Sequence, residues 1–236
     1  IVETVQGEGG INVADLQWLK NLDQVCKKHK VLLIVDDIQA GCGRTGTYFS
    51  FEEAGIKPDI VTLSKSLGGY GLPFAVVLFK PELDLWKPGE HNGTFRGNNF
   101  AFVTAKAAID HYWSDDAFSK EILSKGRYVS DRLTEIVEKY GDGNFTTRGR
   151  GMFQGINCVN GELAGKITKK AFQNGLIIET SGADDHVVKL FCPLVIDMKN
   201  LAKGIDIIEE AIREVCAKED SIPEQKKYFD PVGLAS

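Results

Sequence analysis

The sequence predicts an α/β protein, with a larger part built on a sheet rich in parallel strands and a smaller α+β part after it. Two short apolar runs, residues 31–35 and 60–63, end in polar residues, as buried strands of a parallel sheet do. An amphipathic helix is predicted over residues 14–29, after a strand at residues 1–5. The apolar stripe of this helix consists of Leu16, Leu19, Val25 and Cys26. Strand, helix and strand in this order form the βαβ pattern of a parallel sheet.

The rest of the chain continues with shorter elements. A strand is predicted over residues 73–79, beside the strand at 60–63, and a helix is predicted to start near Asn98. A long amphipathic helix over residues 115–140 leads to a glycine-rich loop at 141–151. Beyond the loop, strands are predicted at residues 152–158, 176–179 and 187–191, and helices at 163–174 and 201–216. This mixture is typical of an α+β domain.

Composition excludes several classes of function. The 236 residues are 43% hydrophobic, which is enough for one sizeable core or two modest domains. The net charge of −5, with no basic block, argues against a nucleic-acid partner. The five scattered cysteines lack the spacing of a metal site, so we expect reduced thiols, no metal and a cytoplasmic location. No apolar run is long enough to cross a membrane and no signal peptide is present, so no membrane partner is expected.

Reactive side chains follow the two predicted parallel strands. Asp36 and Asp37 end the first, and Ser64 and Lys65 end the second. Functional groups gather at the carboxyl ends of such strands, so an acid and a lysine can meet in one cleft. A buried lysine can lose its proton and attack a carbonyl group. Pyridoxal phosphate needs such a lysine, together with a carboxylate that keeps its ring nitrogen protonated. Either residue alone is common, and the combination is more specific.

The stretches LLIVDDIQAGCGRTG and PDIVTLSKSLGGYGLP resemble the signature of the class III, or ω-amino-acid type, aminotransferases. The resemblance implies fold type I of the pyridoxal-phosphate-dependent transferases. Residues 1–113 would be the C-terminal half of the cofactor-binding large domain, and residues 114–236 a small C-terminal domain. It also implies four cofactor contacts on this chain. These are Lys65 as the residue that carries the cofactor, Asp36 at the pyridine nitrogen, Ile38 on the ring face and Gln39 near the phenolic oxygen.

The same resemblance implies residues for substrate and for assembly. Glu8, in the loop QGEGG, matches a glutamate that the family pairs with an arginine exposed only for dicarboxylic substrates. Lys189, in HVVKLFCPLVI, stands where that arginine is expected, so Glu8 and Lys189 are the predicted substrate-binding residues. Thr94, in GEHNGTFRGN, matches a threonine that reaches across a dimer interface to the partner's cofactor phosphate. A homodimer or higher homo-oligomer is therefore expected.

The Asp36-Asp37 pair and the GTFRGNN stretch are most similar to one branch of the family. Its members transfer the amino group of L-glutamate to the terminal aldehyde of L-aspartate 4-semialdehyde. The products are L-2,4-diaminobutyrate, for ectoine biosynthesis, and 2-oxoglutarate. Two alternatives stay open. One is another class III enzyme, such as an ornithine- or GABA-type aminotransferase, a racemase or an aminomutase. The other is an inactive fragment acting as a dimerisation module, because the resemblance covers only the C-terminal part of such enzymes.

Overall fold

A computed structural model describes residues 1–69, 72–94, 96–141 and 143–219 of the chain. The predicted polar tail after Glu219 lies outside these residues. The helices are α1 (Leu16–His29), α2 (Asn99–Tyr112), α3 (Ala117–Tyr140), α4 (Gly161–Gln173) and α5 (Met198–Glu219). The strands are β1 (Ile34–Asp36), β2 (Ile60–Leu63), β3 (Val76–Phe79), β4 (Phe145–Arg150), β5 (Phe153–Cys158), β6 (Glu179–Ser181) and β7 (Val187–Leu190).

The first sheet has the order β1-β2-β3, with β1 and β2 parallel and β3 antiparallel to β2. The strand predicted at residues 1–5 is wrong, since only Val2 bridges β1, through bonds of 2.9 Å to Ile34 and 2.8 Å from Asp36. The chain then turns, and Val5 bridges Val13 instead. This contact is still parallel to β1, so the parallel character of the sheet is confirmed.

Helix α1 is confirmed, with a correction to its buried face. The Asp15 side chain caps its start by accepting a 2.8 Å hydrogen bond from the Trp18 amide. Leu19 is fully buried, whereas Val25 is 54% exposed and does not belong to the stripe. Val31 is also exposed, so the strand predicted from residue 31 begins only at Ile34.

The second sheet has the order β4-β5-β7-β6 and is antiparallel throughout. Its strand β4 falls where the sequence predicted a loop. The glycine that suggested a break there, Gly149, has a φ of 103° and lies against the backbone of Phe153, where a Cβ atom would come within 2.1 Å of the carbonyl oxygen. A glycine at this position therefore serves close strand pairing. The strand predicted at residues 176–179 is shifted to Glu179–Ser181, with Ile177 left 88% exposed.

Helices α3, α4 and α5 pack around the second sheet and form the main core. Its fully or almost fully buried members include Ile122, Leu133, Ile156, Ile167, Ile205 and Ile212. A smaller cluster joins the first forty residues to β5 and β7, and it consists of Val5, Ile11, Ala40, Phe153 and Val187. None of the helices in the described ranges combines the length and apolar character that a membrane span requires.

Candidate active site

The acid and the lysine leave the first sheet at the same edge. The parallel register pairs Asp36 with Thr62, and Lys65 follows three residues later, two positions after the end of β2. Asp36 Oδ1 accepts hydrogen bonds of 3.1 Å from Thr62 Oγ1 and of 3.1 Å from the Ile38 amide. Two donors on different segments thus fix the orientation of this carboxylate.

Lys65 is held in a backbone conformation that a lysine rarely adopts. It begins a short 3₁₀ turn with a φ of 50°, in the left-handed region, and its side chain is exposed. Such a conformation costs of order 1–3 kcal/mol and persists where surrounding bonds impose it. Here Ser64 donates a 3.0 Å hydrogen bond to the carbonyl of Phe74, and the Leu67 amide donates one of 3.1 Å back to Ser64. Strain therefore concentrates at the residue with the candidate reactive amine.

Asp37 points the opposite way from Asp36, into the protein. It is fully buried and accepts hydrogen bonds from the Ser50 amide, at 3.0 Å, and from the Ser50 hydroxyl, which in turn accepts one from Thr4. Burial raises the pKa of Asp37 to about 6, against the opposing effect of the Ser50 bonds. Gly41 packs on this carboxylate, since a Cβ atom there would lie 2.8 Å from Asp37 Oδ2. Asp37 consequently anchors the loop that follows β1.

Arg44, in the same loop, connects the two sheets. The residue is 3% exposed, and its guanidinium donates a 2.6 Å hydrogen bond to the carbonyl of Cys192 and lies 4.2 Å from the centre of the Phe191 ring. Burial lowers the pKa of Arg44 to about 10. The amide of Met152 donates a 2.9 Å bond back to the Arg44 carbonyl. The glycine-rich stretch at 41–46 is therefore a structural loop that packs the first sheet against the second.

The loop that carries Glu8 is fixed at its backbone. The Gly182 amide donates a 3.0 Å hydrogen bond to the Glu8 carbonyl, and Arg148 Nη1 donates one of 3.0 Å to the Gly10 carbonyl. Inside the loop, Glu3 accepts a 2.8 Å bond from the Gly7 amide. Main-chain movement at Glu8 would break these contacts, whereas its side chain is 76% exposed.

Glu8 and Lys189 are in contact, as the sequence predicted. Lys189 Nζ lies 3.2 Å from Glu8 Oε1, and the same oxygen accepts a 2.8 Å hydrogen bond from Gln39 Nε2. The Gln39 bond and then Lys189 hold the pKa of Glu8 below its usual value, with a smaller contribution from the charge of Lys65. The predicted substrate residues and the candidate reactive lysine therefore share one electrostatic environment.

Glu179 is a member of this cluster that sequence reasoning missed. Its Oε1 lies 2.8 Å from Lys189 Nζ, and the two residues face each other across β6 and β7. The signal was present in the sequence. Glu179 and Lys189 are equally distant from the turn near Asp184, and residues placed in this way pair across a hairpin.

The side chains at this edge fit pyridoxal phosphate. Lys65 offers an exposed amine, and Asp36 offers an oriented carboxylate on the neighbouring strand. Gln39 Oε1 is buried without a hydrogen-bond partner among the described residues, which leaves an acceptor for a ligand. Ile38 is partly buried beside it. Within the described ranges, no group of three or more His, Cys, Asp or Glu side chains is arranged to hold a metal ion.

Two further observations concern the surroundings. Thr94 is exposed in the turn before α2, where it can meet another molecule. An apolar cavity of about 450 Å³ is lined by β7 and α5, with Glu179 and Lys189 on its wall and without Lys65 or Asp36. Lys65 and Asp36 thus lie at an open edge of the sheet, and Lys189 stands between them and this cavity as part of its wall.

Comparisons with a family profile and with curated proteins both indicate an aminotransferase family. The profile of the aminotransferase class-III family matches residues 1–212. The chain is 57% identical over 218 residues to a diaminobutyrate–2-oxoglutarate transaminase of Vibrio parahaemolyticus, covering 92% of this chain and 52% of that protein. It is 55% identical over 229 residues to the transaminase of the same name from Bordetella parapertussis, covering 97% and 53%. The chain thus spans about half the length of the curated relatives it matches.

Solved structures of related enzymes share the fold. An acetylornithine aminotransferase from Elizabethkingia anophelis is 32% identical with a TM-score of 0.81, over 90% of this chain and 56% of that one. An ornithine aminotransferase from Toxoplasma gondii is 28% identical with a TM-score of 0.85, over 93% and 51%. These enzymes have fold type I, so the predicted fold class is confirmed.

Proposed function

The chain belongs to the class III aminotransferases, and we propose that the protein transfers an amino group from L-glutamate to the terminal aldehyde of L-aspartate 4-semialdehyde. The products are 2-oxoglutarate and L-2,4-diaminobutyrate. The observation that carries the proposal is the placement of Lys65 and Asp36 at neighbouring strand ends, within electrostatic reach of the Glu8–Lys189 pair. The names of relatives that are 55–58% identical support the choice of substrates.

The family depends on pyridoxal 5′-phosphate, which when bound supplies an electron sink for negative charge on the substrate carbon. We assign Lys65 to hold this group and then, with its freed Nζ, to move a proton between substrate carbons as base and acid. The carboxylate of Asp36 keeps the ring nitrogen protonated, and the hydrogen bonds from Thr62 and Ile38 preserve its orientation. We assign Gln39 to the phenolic oxygen and Ile38 to the face of the ring.

The Glu8–Lys189 pair explains how one site takes two unlike substrates. L-Glutamate brings an α-carboxylate beside the reacting carbon, whereas the semialdehyde presents a bare aldehyde there. Glu8 pairs with Lys189 while the semialdehyde is bound, and it turns aside so that the ammonium can bind the carboxylate of glutamate. Lysine offers a point charge and not the two-pronged fit of arginine, so this contact is less geometrically demanding.

The assembly is part of the proposal. The exposed Thr94 would contact the cofactor phosphate of a partner subunit, which makes the protein a homodimer or higher homo-oligomer. Residues 1–113 would belong to the large domain and residues 114–236 to the small one, in a cytoplasmic enzyme with neither nucleic acid nor membrane as a partner.

The test of function begins with the cofactor lysine. Borohydride reduction of the full-length protein, followed by peptide mapping, should place the pyridoxyl label on Lys65, and Lys65→Ala should abolish transamination. Lys80→Ala serves as the control, because Lys80 pairs with Asp59 at 2.6 Å, away from the site. A label on another lysine would remove the central claim. Product analysis with both substrates separates a transaminase from a racemase or an aminomutase, and a protein with neither visible absorbance nor product would favour the inactive module.

The dimer is tested by complementation. Lys65→Ala and Thr94→Ala proteins, each inactive, are mixed under conditions that exchange subunits. If Thr94 acts in trans, each heterodimer has one site with both residues intact, and part of the activity returns. No recovery in verified heterodimers would mean that Thr94 serves its own subunit.

A further inference from the structure

The buried ammonium group of Lys189 has two carboxylate partners, and the proposed gate uses only one of them. Nζ lies 2.8 Å from Glu179 Oε1 and 3.2 Å from Glu8 Oε1. The lysine side chain is 2% exposed, while those of Glu179 and Glu8 are 64% and 76% exposed. A cation that water hardly reaches therefore depends on two acids that water reaches freely.

The two acids are attached to the protein in different ways. Glu179 lies on β6 directly opposite Lys189, so the hydrogen bonds between β6 and β7 fix the spacing of their backbones. Glu8 lies in a loop, and its Oε1 is shared with the side chain of Gln39. The carboxylate of Glu8 can turn away to another partner, whereas that of Glu179 stays across the strand from the ammonium.

We propose that Glu179 is the permanent counter-ion of Lys189, and that it makes the exchange between Glu8 and a substrate carboxylate possible. The proposal rests on the proposed function. With both acids in place the cluster has a net charge of −1, and it becomes neutral when Glu8 turns aside. Without Glu179, the same movement would leave a bare cation that is 2% exposed. Because an uncompensated buried charge is strongly destabilising, Glu179 lowers the cost of releasing Glu8.

In this arrangement Glu179 is a positioning residue that acts through Lys189. While the amino-aldehyde is bound, no substrate carboxylate faces the ammonium, and both acids stay paired with it. When glutamate is bound, its carboxylate takes the place of Glu8 and Glu179 remains. The centre of the Phe191 ring is 5.4 Å from Nζ, so a cation–π interaction stabilises the ammonium with either substrate bound.

The test is a double-mutant cycle on the cofactor-loaded, full-length protein with Glu8→Gln, Glu179→Gln and both changes. The ligand is glutarate, which has the two carboxylates of glutamate and no amino group to react. Glu8→Gln should lower the Kd of glutarate about twofold while Glu179 is present, since an exposed carboxylate is cheap to displace. In the Glu179→Gln background the same change should lower it about tenfold, because Glu8 is then the sole counter-ion. If Glu8→Gln changes the Kd of glutarate by the same factor with Glu179 present and with Glu179→Gln, the proposal is overturned.

A second readout does not depend on catalysis. Each single change should lower Tm by about 2 °C and the double change by about 10 °C, because only the double variant buries an unpaired ammonium. Glu179→Asp keeps the negative charge, so in this variant the effect of Glu8→Gln should be close to that in the parent protein. Glu135→Gln removes the same charge from α3, where Glu135 pairs with Arg132, and it should leave both Tm and the glutarate Kd unchanged.

The outcomes separate the two proposals. If the protein transaminates but the effects of Glu8→Gln and Glu179→Gln on the glutarate Kd are additive, the proposed function stands and the role of Glu179 is refuted. A protein without cofactor absorbance or transamination refutes the function, and its melting temperatures still decide whether Glu179 is the counter-ion. Additive Tm losses would then reject that role as well.

Discussion

The buried carboxyl group of Asp37 should make the protein less stable as pH rises from about 4 to about 6. Burial raises its pKa from 3.8 to about 6, so the folded state keeps a proton that the unfolded chain has already lost. The stabilisation due to that proton is complete below the unfolded pKa and is lost as pH rises through the folded one. A shift of roughly two units corresponds to about 3 kcal/mol of unfolding free energy at neutral pH.

Asp37→Asn removes this charge without changing the size of the side chain. The amide can still accept from the Ser50 amide and donate to its hydroxyl, and Arg150 keeps Glu53 as a partner at 3.0 Å. Urea unfolding at pH 7.5 should therefore show a gain of about 3 kcal/mol over the parent protein. Below pH 4 the unfolding free energies of Asp37→Asn and the parent protein should agree within about 0.5 kcal/mol.

Asp59→Asn is a control of opposite sign. The hydrogen bond from Lys80, then that from the Leu33 amide, lowers the pKa of Asp59, so its contribution is present at neutral pH and is lost as pH falls through the lowered pKa. This variant should be less stable than the parent at pH 7.5 and similar to it in strong acid. A gain in Asp37→Asn that does not vary with pH would refute the reasoning, and so would the absence of a gain at pH 7.5.

Three further expectations concern stability and are measured by urea unfolding. Gly151→Ala should cost about 3 kcal/mol, because φ is 59° and the new Cβ would lie 2.7 Å from the Thr45 carbonyl carbon; Gly143→Ala, with open space around it, should cost about 1 kcal/mol. Leu133→Ala in the core should cost about 3 kcal/mol, and the exposed Val25→Ala less than about 0.5 kcal/mol. Arg44→Lys should cost about 1–2 kcal/mol, because lysine loses the planar contact with Phe191; no loss would show that the stacking is not stabilising.

Elements with strong local signals could be predicted from the sequence. The side chain of Asn98 accepts a 2.9 Å hydrogen bond from the Phe100 amide, and α2 begins directly after it, as its residue type suggested. The run at residues 60–63 is a strand in full. Both predictions depend on residues that lie next to each other in the chain. Strand β4 was missed because Gly149 reads locally as a breaker, and only its partner strand β5 explains it.

The candidate site likewise combines features that local sequence patterns predict with features that depend on distant residues. Strand ends marked by Asp36 and Lys65 are visible in the apolar pattern, and parallel pairing brings them to one edge. The contact of Glu8 with Lys189 joins residues 181 positions apart, and only the family resemblance suggested it. The fixed place of Glu179 depends on the register between β6 and β7, and the raised pKa of Asp37 depends on complete burial. Burial is a property of the packed molecule that local patterns did not reveal, whereas the pairing of Glu179 with Lys189 could have been inferred from their equal distances to the turn near Asp184.

The fixed backbone of the Glu8 loop has a consequence for kinetics. With the main chain tied to Gly182 and Arg148, movement at Glu8 is confined to rotation of an exposed side chain. Such rotations take picoseconds to nanoseconds, whereas enzymes turn over about ten times per second. Under the proposed function, the two orientations of Glu8 would therefore interconvert many times within one catalytic cycle. The proposed gate then predicts that the relative populations of these orientations decide which substrate is favoured, and that the switch between half-reactions adds no delay of its own.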